Sequence, residues 1–148
     1  SPIIENPLRV QIENIGVDAP ISNPVSTNEA YLNGLLKKGV VHYPGSGMPG
    51  KGNMFLFAHS ANVLTRNPAY RAFNDLDKLK NGAEIKIQTN GREYVYKVTS
   101  VKKMNEAKAR IDLSTDKNMI TLTTCDTFSG IPQQRIIVEA DYSRSYDL

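Results

Sequence analysis

One cysteine and two histidines occur in 148 residues, so the nucleophilic and proton-transfer chemistry open to this chain is narrow. Cys125 closes the β-branched run Thr121-Leu122-Thr123-Thr124, and Arg135 follows ten positions later. A cysteine attacks as its thiolate; a guanidinium beside it favours that form and can face the oxyanion of an attacked carbonyl. Arginine suits the task because it stays cationic at any working pH. The thiol also needs a proton partner. His59 ends the apolar run Met54-Phe55-Leu56-Phe57-Ala58 and meets Ser60-Ala61-Asn62, whereas His42 sits in a shorter, more mixed run before a Gly/Pro-rich stretch. Position at a strand end favours His59 over His42, and distance along the chain is no obstacle to pairing in space. The set describes a cysteine-dependent acyl transfer.

The elements that must hold these residues read mainly as strands. Leu8 to Ile12 alternates apolar and polar side chains, the period of a half-buried strand. Asp18 to Ile21, Val40 to Tyr43 and the continuous apolar run Met54 to Ala58 follow, the last suited to the centre of a sheet. Residues 44–52 are nearly all turn formers and must be loop. Glu84 to Gln88 and Glu93 to Val101 flank Asn90-Gly91, a pair suited to a type I′ hairpin turn. In Met119 to Cys125, Ile120 and Leu122 point one way and Thr121, Thr123 and Cys125 the other. Ser129-Gly130 and Pro132 then stop the strand, and Arg135 opens Ile136-Ile137-Val138, expected to return alongside it. Cys125 and Arg135 should therefore share one end of two neighbouring strands.

A helix capped by Ser26 or Thr27 and ending at Gly39 should bury Leu32, Leu35 and Leu36, and Pro68 to Leu79 has room for one or two further turns. About eight short strands with few helices make a β-barrel or sandwich, as one domain over residues 1–148.

Composition removes several other functions. Eighteen basic and fifteen acidic residues give a net charge of +3 and a pI near 9.0. The lysines are scattered rather than massed with aromatics, so nucleic acid is not an expected partner. A single cysteine makes no intramolecular disulfide, and one Cys with two His offers no finger-like metal spacing. No acidic cluster supports calcium, and no cofactor is expected. No apolar run approaches the length of a membrane span, and no signal peptide is visible. The abrupt opening at Ser1-Pro2-Ile3 suggests that an upstream segment has been removed.

Each reactive residue has a plainer reading. A cysteine ending a buried strand is more often an inert core residue, Arg135 could pair with Asp126 or Glu139, and a histidine after an apolar run is usually structural. Their joint placement at strand–loop junctions brings the chemical reading level with these.

Thr121-Leu122-Thr123-Thr124-Cys125, with Arg135-Ile136-Ile137-Val138 ten positions on, resembles the cysteine and arginine signature of the sortases. His42-Tyr43-Pro44-Gly45-Ser46, Pro49-Gly50, Gly52-Asn53 and Ala58-His59-Ser60 resemble the segment leading to the sortase catalytic histidine. The likeness runs from about Leu8 to Tyr142. It implies an eight-stranded sortase β-barrel with Cys125 as nucleophile, His59 as proton donor to the leaving amine, and Arg135 as stabiliser of the oxyanion or substrate carbonyl. It also implies that Thr124 helps to hold the peptide, with Thr123, Ser60 and His42 lining the site.

The implied activity is that of a transpeptidase at the extracellular face of a Gram-positive-type cell membrane, tethered by an N-terminal membrane segment. It cleaves a Leu-Pro-x-Thr-Gly-like sorting signal between Thr and Gly. The acyl group then passes to an amine of peptidoglycan or a pilin. Residues 103–118 lack the long insertion of class B, and no Asp-Pro-aromatic lid precedes Leu8 as in many class C members. By elimination class D or E fits best, with A or F left open.

Other thiol enzymes fit less well. A thiol-phosphatase cradle needs a shorter Cys–Arg spacing, and a papain-type site needs a helix starting at the cysteine. The remaining alternative is a non-enzymatic β-barrel that binds peptide or glycan, with Cys125 silent.

Overall fold

A computed structural model describes residues 5–58, 72–105, 116–124 and 134–148. Eight strands close a barrel: β1 (Arg9–Ile12), β2 (Val17–Ser22), β3 (Val40–His42), β4 (Asn53–Ala58), β5 (Glu84–Gln88), β6 (Arg92–Asn105), β7 (Met119–Thr124) and β8 (Gln134–Asp147). Around the barrel the order is β1-β2-β3-β4-β7-β8-β6-β5, with β5 returning to β1. Closure leaves no open sheet edge. The pairs β2–β3 and β4–β7 are parallel, the rest antiparallel.

Alternation along each strand decides what fills the interior. Val10 and Ile12 of β1, Met54, Leu56 and Ala58 of β4, Ile120 and Leu122 of β7, and Val138 and Ala140 of β8 form one buried cluster with Tyr96. Each large aliphatic side chain buried there contributes about 1.5–3 kcal/mol. The intervening residues of β4 face outward, yet Phe55 and Phe57 are buried too. They pack with Val41 against Leu32 and Leu36 of the helix α1 (Glu29–Leu36), while Tyr43 meets both rings at centroid distances of 5.8 and 6.0 Å. This double cover explains why β4 reads as an unbroken apolar run.

Three local expectations are corrected. α1 starts later than expected, because Asn28 caps it: Asn28 Oδ1 accepts the N–H of Tyr31 at 3.0 Å. The β5–β6 turn is not type I′, since neither Asn90 nor Gly91 has positive φ. Thr89 closes it instead, its Oγ1 accepting the N–H of Arg92 at 3.2 Å. And β6 and β8 are not short: each has 14 residues. They form one long ladder, and irregularities at Val95/Tyr96 and Val98/Ser100 let it bend with the barrel.

Candidate active site

The parallel pair β4–β7 sets the site. Its register runs Asn53↔Met119 through Phe57↔Thr123 to Ala58↔Thr124. Both strands therefore reach the same end of the barrel in step, one residue before His59 and Cys125 in the sequence. His59, Ser60 and Cys125 themselves lie outside the described residues.

On the other side of β7, β8 runs antiparallel with Thr121↔Glu139, Leu122↔Val138 and Thr123↔Ile137. Beyond Thr123, the Oγ1 of Thr124 accepts the N–H of Ile136 at 3.0 Å. That bond ties the last residue of β7 to the residue next to Arg135. Arg135 itself is paired through the ladder with Met104 of β6.

Because paired residues share a face, the outer surface of β4, β7, β8 and β6 is a grid. One row is Phe57, Thr123, Ile137 and Lys102; the next is Phe55, Thr121, Glu139 and Ser100. Arg135 belongs to the row beyond Phe57, on this same outer face by alternation from Ile137 and Glu139. β4 contributes aromatic side chains to this grid and β7 hydroxyls, while β8 and β6 mix apolar, polar and charged ones.

Thr123 and Thr124 are both buried. Thr123 lies on the outer face, its Oγ1 directed to the Thr124 carbonyl at 3.4 Å. Thr124 shares the inward parity of Leu122. Thr121 Oγ1 donates to Asn53 Oδ1 at 2.9 Å, cross-linking β7 to the start of β4.

His42 is not brought to this face. It pairs with the inward-facing Leu56 of β4, and its ring bridges Asn23 Oδ1 (Nδ1, 2.9 Å) and Gly47 O (Nε2, 2.8 Å). Asn23 is held in turn, its Nδ2 donating to Pro7 O at 2.7 Å. Burial pushes the imidazole pKa below its usual value, and the Gly47 carbonyl opposes that shift. The arrangement clasps the loop after β3 to the end of β2. Asn23 carries no periodic signal in the sequence, so only the fold reveals this role.

Among the described residues, no group of three or more His, Cys, Asp or Glu side chains is gathered to hold a metal ion. No helix among them is long and apolar enough to cross a membrane.

The closed eight-stranded barrel carries a parallel pair, β4–β7, whose ends are level beside the strand that holds Arg135. The family profile described as "Sortase domain" matches residues 10–143, and the chain belongs to the sortase family. Among curated proteins, "Putative sortase YwpE" of Bacillus subtilis is 36% identical over 74 residues, covering 50% of this chain and 72% of that protein.

Solved sortases share the fold. Listeria monocytogenes sortase A superposes with a TM-score of 0.74 at 23% identity, covering 97% of this chain and 91% of that one. Streptomyces avermitilis sortase E gives 0.72 at 23%, covering 99% and 93%. Group B Streptococcus Pilus Island 1 sortase C2 gives 0.72 at 28%, covering 97% and 77%. These neighbours are sortases A, C and E at similar likeness, so the fold alone does not separate the classes. Family and fold together define a cell-wall transpeptidase.

Proposed function

We propose that this chain is the catalytic domain of a sortase that cleaves a Leu-Pro-x-Thr-Gly-like signal between Thr and Gly, with Cys125 as nucleophile, His59 as acid–base and Arg135 as oxyanion partner. The observation that carries the reading is the pair of registers meeting on β7. Ala58↔Thr124 brings β4 to the residue before His59 in step with the residue before Cys125. Thr123↔Ile137, the last pair of β7 with β8, lies two residues before Cys125 on one strand and two residues from Arg135 on the other. Phe57, Thr123 and Ile137 lie on one outer face, and Arg135 shares it by alternation.

The chemistry balances with these groups. The Cys125 thiolate adds to the Thr carbonyl carbon, and the resulting oxyanion is met by the Arg135 guanidinium. Collapse breaks the Thr–Gly C–N bond, and imidazolium His59 gives its proton to the departing amine, leaving a thioester. A second amine adds to the thioester, His59 takes its proton, and the thiolate leaves. The Cys–His pair titrates as a unit, so only a fraction of molecules holds the thiolate–imidazolium form at a given pH.

Thr124 supports this centre through Ile136, and Thr123 and Ser60 stand beside the peptide. The acceptor is an amine of peptidoglycan or a pilin, and the enzyme works at the extracellular membrane face, tethered by an N-terminal anchor. Intact-mass spectrometry with Leu-Pro-x-Thr-Gly-like peptides and hydroxylamine tests the reading. A hydroxamate product that vanishes in Cys125→Ala supports it. A folded-state thiol inert to alkylation, with no cleavage of any peptide in the pool, would overturn it in favour of a silent binding barrel.

A further inference from the structure

Asparagine is a thermolabile residue, and most so before glycine, whose nitrogen meets no Cβ of its own when it turns toward the Asn side chain. Three Asn-Gly pairs occur here, Asn33-Gly34, Asn81-Gly82 and Asn90-Gly91, and the fold treats them differently. Gly34 lies inside α1 (Glu29–Leu36), where an N–H past the first turn is held by the carbonyl four residues back. Gly82 N–H donates to Val98 O at 2.8 Å. Gly91 N–H has no hydrogen-bond partner among the described residues, and Asn90 and Gly91 are both exposed. There is room at this turn as well. Apart from its chain neighbours, only Glu5 Oε1, at 3.8 Å, comes within 4 Å of where a Cβ on Gly91 would sit. The turn is held elsewhere: Thr89 N–H donates to Arg92 O at 2.9 Å, and Leu148 N–H donates to Gly91 O at 3.0 Å.

We propose that Asn90 is a self-modification site, which deamidates through a succinimide to aspartate and isoaspartate. The Gly91 nitrogen attacks Asn90 Cγ and forms an N–C bond. The Cγ–Nδ2 bond breaks, and Nδ2 leaves as ammonia with the proton from Gly91. Water then opens the ring. Addition at Cγ breaks the new bond and gives aspartate; addition at the main-chain carbonyl carbon of Asn90 breaks the original peptide link and gives isoaspartate, with an extra methylene in the backbone. Either product puts a carboxylate where a neutral amide stood, which lowers the net charge of +3 by one. Isoaspartate also lengthens the path from Thr89 to Arg92, so the bonds from Thr89 to Arg92 and from Leu148 to Gly91 must give. The catalytic end is spared. β6 is antiparallel to β8 and β8 to β7, so β6 starts at the end of the barrel where β7 starts, opposite Thr124.

The test ages the folded protein at mildly alkaline pH, which favours loss of the Gly91 proton, and follows each Asn-Gly pair by peptide mapping with mass spectrometry. Asn90 should convert about tenfold faster than Asn81, because freeing Gly82 N–H first costs a hydrogen bond of ordinary net strength. Asn33 should lag further, since its helix must open. In denaturant the three rates should converge. Gly91→Ala, whose Cβ meets only the Glu5 carboxylate at 3.8 Å, should slow conversion at Asn90 severalfold while leaving the unfolding midpoint in place. The aged protein should also exchange the Leu148 amide hydrogen faster than fresh protein. A rate at Asn90 no greater than at Asn81 in the folded protein, or a lead for Asn90 that persists undiminished in denaturant, overturns the inference. Neither outcome bears on the transpeptidase reading, which this inference does not use.

Discussion

Ala58 and Thr124 are direct partners on the parallel strands β4 and β7, and each is the last strand residue before a proposed catalytic side chain. In a parallel pair the C-terminal ends of both strands lie at the same end of the barrel, and the register Ala58↔Thr124 makes these two ends level. An antiparallel pair would send the two C-terminal ends to opposite ends of the barrel. Holding this register costs the chain long connections, since parallel strands cannot be joined by a tight turn.

Arg135 should matter more for the rate than for the fold. Replacing it with Ala should lower kcat by about 10²–10³-fold, the usual cost of losing one oxyanion partner. The alkylation rate of Cys125 at neutral pH should fall with it, because the thiolate loses a neighbouring cation. A variant whose alkylation profile and kcat match the wild type would place Arg135 outside the mechanism.

Thr124 is expected to act through Ile136. In Thr124→Val the part-buried N–H of Ile136 loses its acceptor while volume is kept, a change worth about 1 kcal/mol. The chemical unfolding midpoint should drop accordingly, and activity should drop with it as β8 loosens beside Arg135. Thr124→Ser, which retains the hydroxyl, should recover most of both. Equal losses in Val and Ser variants would point to the methyl group instead.

Gly47 cannot carry a side chain. A Cβ there would sit 2.6–2.7 Å from the backbone of Gly52 and Asn53, so Gly47→Ala must push the loop off the start of β4. The loss should be about 1–3 kcal/mol of stability or more. The His42–Gly47 bond should break too, visible as a shift of the His42 ring resonances by NMR.

His42 gives a pH signature. Burial holds its folded-state pKa below the ordinary histidine value, against the pull of the Gly47 carbonyl. A depressed pKa means that the neutral ring stabilises the fold fully above about pH 6.5, the unfolded value. That stabilisation falls away as pH drops through the lower folded pKa. Unfolding midpoints between pH 8 and 5 should fall more steeply for the wild type than for His42→Gln. An NMR titration placing the folded pKa above 6.5 would show instead that the two oxygens facing the ring outweigh its burial.

Much of the barrel was legible in the order of residues. Period-two alternation marked β1, and the apolar run of β4 pointed to the centre of the sheet, because these patterns are the local price of a buried face. The breakers after Cys125 placed Arg135 at the start of the next strand, and β8 does return antiparallel to β7.

Where a side chain takes over from the backbone, the sequence misled. Asn28 caps α1 in place of Ser26 or Thr27, and Thr89 closes a turn that Asn90-Gly91 suggested would be left-handed. A side-chain hydrogen bond a few residues away outweighs a propensity of under about 1 kcal/mol.

By itself, the sequence determined the reactive residue types, the strands that carry them and the family, since these rest on short spans and their spacing. Tertiary structure alone decided the level ends of β4 and β7, the bond from Ile136 to Thr124, and the withdrawal of His42 to Asn23 and Gly47. Each of these joins residues on different strands, and a strand's neighbours are fixed by closure of the whole barrel, which no local pattern encodes.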